Sequence, residues 1–169
     1  MANERRMSAM YMSNARQYEV QRMNHFEVLI EGIANTVVPL AVESFSIPDV
    51  TVSPIELAHG NTKVKVAGLA DTPDATLTVK DFIVPDVEGI LYDWYQKVYE
   101  FKTGKIGWAN VYKKNGTFYE YAPDGTNPRV WKLIGMWPST MTFGEFGYES
   151  GDKRQISVTI QVDQTYRER

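Results

Sequence analysis

Gln155-Ile156-Ser157-Val158-Thr159-Ile160-Gln161-Val162-Asp163 closes the chain with apolar and polar residues in almost unbroken alternation. Successive side chains of a strand point to opposite faces, so this is the pattern of a half-buried β-strand. Upstream, residues 129–137 form another strand-like run, which ends on Gly135-Met136-Trp137-Pro138. That run is apolar on both faces, which places it centrally in a sheet or at a subunit contact. Between the two lies a glycine-broken stretch carrying Phe143, Phe146 and Tyr148.

Working back towards the N-terminus, the same period of two recurs. Residues 76–80 alternate cleanly, and residues 63–66 do so again. Residues 25–30 put Phe26, Val28 and Ile30 on one face. A second strand is predicted from about residue 37 to 47, stopped by Pro48, which has no N–H for a ladder. Residues 51–57 extend as a further strand, with Pro54 favouring an edge, and His59-Gly60-Asn61 is a turn signal. The span from 50 to 66 therefore reads as a long hairpin or extended loop. Asn115-Gly116, flanked by residues 108–113 and 117–121, predicts a tight hairpin turn, and Pro123-Asp124-Gly125 predicts another turn.

The period changes to that of a helix only once. Asp86 is a good N-cap. Val87, Ile90, Leu91, Trp94, Tyr95, Val98 and Phe101 follow on one stripe, and Gly104 is placed to end the run. The expectation is a mainly β fold, a sandwich or barrel, with one capping α-helix over about residues 86–103. Residues 1–22 are polar and read as a flexible N-terminal arm, in which Met7, Met10 and Tyr11 offer adaptable contacts. Residues 23–169 are expected to form a single β domain.

Composition narrows the function. The 169 residues are 43% hydrophobic and 23% charged, ordinary values for a globular protein. There is no cysteine, which excludes a disulfide framework, a thiolate metal site and a cysteine nucleophile. A net charge of −3 and a pI near 5.4 argue against a protein that coats nucleic acid. No apolar run approaches the ~20 residues of a membrane span. Arg5-Arg6 has no apolar run behind it, so neither a signal peptide nor a membrane anchor is expected.

The search for chemistry finds no catalytic, cofactor-binding or metal-ligating set. His25 and His59 are far apart and read as a strand residue and a turn residue. Asp124-Gly125-Thr126-Asn127 lacks the spaced carboxylates and closing glutamate of a calcium loop. Asp81, Asp86 and Glu88 are explained by capping and surface roles. From Tyr92 to Tyr121, Lys97, Lys102, Lys105, Lys113 and Lys114 interleave with aromatics, a pattern that a single-strand binder uses. Burial of the helix aromatics and cross-strand pairing of the others account for it better. A monomeric β-barrel nucleic-acid-binding module stays as the rival from a different class.

Taken in order, the elements resemble the tail tube proteins of contractile-tailed bacteriophages. The resemblance rests on the opening strand at 25–30, on Ser44-Phe45-Ser46-Ile47-Pro48 before an extended loop, and on Lys63-Val64-Lys65-Val66-Ala67-Gly68. It continues through Leu77-Thr78-Val79, a single helix containing Trp94, and Leu133-Ile134-Gly135-Met136-Trp137-Pro138. The closing strand then carries Ile156, Val158, Ile160 and Asp163.

The resemblance implies a subunit that assembles into hexameric rings, with sheets joined edge to edge around a lumen. The rings would stack into a tube within a contractile sheath, in contact with tape-measure and baseplate proteins. DNA would meet the protein only in passage. Such a protein is a virion component, assembled in the cytoplasm of the bacterial host. A tailocin or a type VI-like injection machine is the near alternative. An acidic chain without a basic stripe suits a lumen that repels phosphate. Met7, Met10 and Tyr11 of the arm and Ile55, Leu57 and His59 of the extended loop are the candidate ring-to-ring contacts.

Overall fold

The computed structural model describes residues 20–33, 37–126, 129–148 and 151–168. Met7, Met10 and Tyr11, with nearly all of the predicted arm, lie outside the described residues. The strands are β1 (Phe26–Ile30), β2 (Val42–Phe45), β3 (Thr51–His59), β4 (Thr62–Asp71), β5 (Ala75–Lys80) and β6 (Tyr99–Glu100). They continue as β7 (Lys105–Ile106), β8 (Lys114–Glu120), β9 (Arg129–Thr142), β10 (Gln155–Gln161) and β11 (Gln164–Arg167). Among the described residues three helices accompany them: α1 (Val37–Ala41), α2 (Val87–Val98) and α3 (Ala109–Tyr112). The fold is mainly β.

The long strand β9 organises the sheet. β10 and β11 lie along one of its edges, from Ser157 opposite Thr142, across a one-residue register shift between Thr159 and Ile160, through Gln161 opposite Trp137, to Arg167 opposite Trp131. β8 lies along the other edge, from Glu120 opposite Arg129 to Lys114 opposite Met136, and β1 pairs beyond it. On the far side of β10 come β5 and then β2. The two halves of β9 thus belong to two half-sheets, β1-β8-β9-β11 and β9-β10-β5-β2. Their apolar faces share one core of Val28, Ile30, Phe118, Leu77, Val79, Ile156, Val158 and Ile160. The rings of Phe45 on β2 and Phe118 on β8 stack across it at 5.7 Å.

The amphipathic helix closes this core. Asp86 accepts a hydrogen bond from the Gly89 amide at 2.8 Å, capping α2, and Val87, Leu91 and Trp94 are buried. The Trp94 indole N–H donates to the Tyr112 carbonyl at 2.8 Å. Ile90, Tyr95 and Val98 are half-buried.

The helix is shorter than its periodicity predicted. Tyr99 leaves helical geometry for an extended one, and β6 turns back onto β7, so Gly104 (φ +70°) serves a hairpin turn and not a helix end. Phe101 is therefore not on the helical stripe. It is half-exposed, with its ring against Tyr95 and Tyr99 at 5.5 and 5.3 Å.

Three other local readings are corrected. The strand predicted from residue 37 begins as helix α1, where Val38 and Ala41, three apart, are both buried. Proline is tolerated in a first helical turn, so Pro39 does not prevent this. Residues 109–112 form α3 in place of a strand, because the Tyr112 carbonyl is drawn to Trp94. Asn115-Gly116 is no turn but part of β8. A side chain at Gly116 would strike Met136 and the Leu29 carbonyl, so the glycine is there for close packing.

Candidate functional site

The β3–β4 hairpin stands out because nothing in it is buried: every residue of the two strands is exposed except Gly68, which is half-buried. The two-residue turn at Gly60-Asn61 (Gly60 φ +60°) brings His59 opposite Thr62. Two further pairs, Ile55 with Val66 and Leu57 with Val64, then fall on one face. These four aliphatic side chains are each between 43% and 52% exposed. Glu56, opposite Lys65, takes the other face and accepts a hydrogen bond from Lys63 at 2.7 Å. Near the base the register slips between Val52 and Pro54. Gly68 allows that bulge, since a Cβ there would press on the Ser53 carbonyl and Ile55. The result is an amphipathic ribbon whose apolar face has no cover among the described residues. An exposed apolar face of this kind marks a contact surface.

A second constellation gathers the end of the Gly-Met-Trp-Pro run. Gly135 has φ +70°, and its amide donates to the Asn115 side chain at 3.3 Å. Met136 is fully buried, Trp137 meets the Tyr112 ring edge-on at 5.9 Å, and Pro138 lies opposite Ile160. Asp163, between β10 and β11, donates its amide to the Ile134 carbonyl and accepts from Lys113 Nζ at 2.6 Å. Gly135, Trp137, Pro138 and Asp163 therefore meet at the joint where β9 passes from one half-sheet to the other. Ile156, Val158 and Ile160 lie on the core face.

A third cluster ties helix α2 to the start of β10. Arg154 pairs with Asp81 at 2.8 Å and with Glu88, and its guanidinium lies 4.6 Å over the Phe146 ring. The hydrogen bond to Glu88 is the main reason its already high pKa is raised further. Asp81 and Glu88 are thus bound to one cation and are not a free carboxylate pair. Sequence reading missed Arg154, because nothing local marks a cation 66 and 73 residues distant from its partners.

The histidines do not meet: His59 is exposed at the hairpin turn and His25 is half-buried beside β1. Among the described residues no group of side chains could hold a metal ion. Asp124 accepts from the Thr126 amide and hydroxyl at 3.0 and 2.6 Å, which holds a local turn. Of the lysine–aromatic stretch, Lys113 is engaged with Asp163 and Trp94 is buried, so these two are withdrawn from any stacking surface.

The sequence from residue 22 to 165 matches the family model described as T4-like virus tail tube protein gp19. The chain belongs to that family. Its role is accordingly that of a structural component of a tail tube. No curated protein sequence matches the chain.

Among solved structures, a chain of the anti-feeding prophage cap, the AFP tube terminating cap, superposes with a TM-score of 0.71 and 18% identity. That match covers 89% of this chain and 91% of the other. A chain of the extracellular contractile injection system PVC sheath-tube complex in its extended state gives 0.70 and 20% identity. Its coverage is 92% of this chain and 95% of the other. The PVC sheath/tube terminator gives 0.68 and 19%, over 90% and 98%. At such identities the likeness is one of fold, and it places the tail tube family sequence on a tube-protein fold.

Proposed function

We propose that this tail tube protein assembles into hexameric rings that stack into the inner tube of a contractile phage tail, a conduit for genome DNA. The observation that carries this reading is the β3–β4 hairpin, an amphipathic ribbon whose apolar face has no cover among the described residues. Stacking a second ring against it buries Ile55, Leu57, Val64 and Val66, each with roughly half of the 1.5–3 kcal/mol of an aliphatic side chain still to gain.

Ring closure has its own support. Among the described residues no strand pairs the outer edge of β2, nor the edge of β9 beyond Met136 that faces away from β10. Open edges are a liability in a monomer, and a head-to-tail ring removes them by pairing each edge with its neighbour. The role is mechanical, without catalysis. Sheath, tape-measure and baseplate proteins are its partners in the virion, after assembly in the host cytoplasm.

Negative-stain electron microscopy of the concentrated protein tests the reading. Hollow rings or tubes with six-fold end views are expected. A uniform monomer at every concentration, with a tail baseplate added as nucleus, overturns it.

A further inference from the structure

The outer face of the β9-β10-β5-β2 half-sheet has an unusual composition. Ser157 lies opposite Thr78 on one side and Thr142 on the other, and Thr159 lies opposite Thr76 and Thr140. These are two parallel rows of hydroxyl side chains crossing three strands. Ser44 on β2, opposite Thr78, extends the first row to a fourth. Every one of these positions is exposed or half-exposed, while the intervening Leu77, Ile156, Val158 and Ile160 are buried on the core face. Neither row holds an acidic, basic or large apolar residue.

The other half-sheet is built differently. Its outward Leu29, Tyr119 and Val130 are apolar and half-buried. Glu27 accepts from the Tyr121 hydroxyl there, and Lys132 pairs with Glu168. That mixture of apolar and charged groups suits contact with another protein. The hydroxyl rows lack both the apolar anchors that hold a protein partner and the charges that orient one; charge on this face begins beyond them, where Lys80 lies opposite Gln155 and Glu43 pairs with Lys153.

From this contrast, and resting on the ring reading above, we infer that the hydroxyl rows line the lumen. The channel wall is then neutral along these rows, in contrast to the phosphate-repelling wall expected from the acidic composition. A wall of one charge sign focuses field into the channel and either holds or excludes a polyanion. A wall of hydroxyl groups stays wet, exchanges hydrogen bonds with water, and presents no fixed charge to the polymer passing along it. Along these rows no phosphate contact is made and no counterion is released.

The chain has no cysteine, so Thr159→Cys and Thr140→Cys each introduce a unique thiol. In assembled tubes both positions are expected to react with a small maleimide and to lose reaction with a maleimide carried on a large globular protein. In dissociated subunits both reagents react. Equal reaction with both reagents in tubes puts the face on the outside and overturns the inference. No reaction with either reagent in tubes puts it in an interface and does the same. Thr159→Lys and Thr159→Glu are both expected to form tubes like the unsubstituted chain, and selective failure of either shows an assembly contact and overturns the lumen assignment. Failure of the unsubstituted chain to form rings at all is instead a failure of the ring reading, and removes the ground for this inference with it.

Discussion

A side chain at position 135 would occupy the space that the Asp163 carboxylate fills: Gly135 has φ +70°, and a Cβ built there falls on Asp163. Two constraints, a left-handed backbone and a steric one, thus fall on a single glycine at the joint between the half-sheets. Asp163 is held there by its own amide bond to Ile134 and by Lys113.

Gly135→Ala is therefore expected to destabilise the subunit by about 1–3 kcal/mol, the usual cost of strained backbone at one residue. Urea unfolding measures it. Asp163→Ala removes the collision but not the positive φ, so the double variant should lose less than the sum of the two single losses, by more than about 0.5 kcal/mol. Strict additivity would mean that the two residues do not share the space.

Trp94 is 1% exposed and its indole N–H is hydrogen-bonded to Tyr112. We expect Trp94→Ala to cost about 3–5 kcal/mol through the cavity it leaves. Trp94→Phe, which keeps much of the ring and orphans the Tyr112 carbonyl, should cost about 1–3 kcal/mol. A loss below about 1 kcal/mol in the alanine variant contradicts the assignment of Trp94 to the core.

Replacing Arg154 leaves the Asp81 and Glu88 carboxylates without the cation between them. Arg154→Ala is expected to lower stability by about 1–3 kcal/mol, the range for hydrogen bonds to charged groups at a partly exposed site. Added salt should reduce the difference from the unsubstituted protein, and a calorimetric comparison at two ionic strengths checks both statements.

Tyr121 donates its hydroxyl to Glu27, and burial together with that carboxylate pushes its pKa up to about 12. A raised folded-state pKa leaves stability intact below the ordinary tyrosine value near 10 and removes it as pH rises from there towards about 12. Ultraviolet titration should show a late phenolate that is absent from Tyr121→Phe and moved to lower pH in Glu27→Gln. Ionisation of all tyrosines together contradicts the shift.

Ile55→Asp and Leu57→Asp place a charge on the apolar face of an exposed hairpin. Thermal stability of the subunit should change by no more than about 0.5 kcal/mol, the usual effect at surface positions. Tubes should not form, as read by electron microscopy. Normal tubes from both variants would exclude this face from the ring-to-ring contact.

The sequence by itself determined that this is a β-rich protein and that residues 155–161 form an alternating strand, and it narrowed residues 50–66 to a long hairpin or an extended loop. Alternation, N-capping and hairpin turns depend on neighbours one to four residues apart, so Asp86, Gly60 and the 155–161 strand are legible without a fold. The family, too, was legible in the order of those elements. Only the tertiary structure decided the rest, because it depends on partners distant in the chain. Val38 and Ala41 are helical because the core takes both. Gly116 sits inside a strand because Met136 and Leu29 leave no room for a side chain. Arg154 finds Asp81 and Glu88 across the fold. The hydroxyl rows exist only because the registers of β5, β10 and β9 bring Thr76, Thr159 and Thr140 abreast, and no local pattern contains a register.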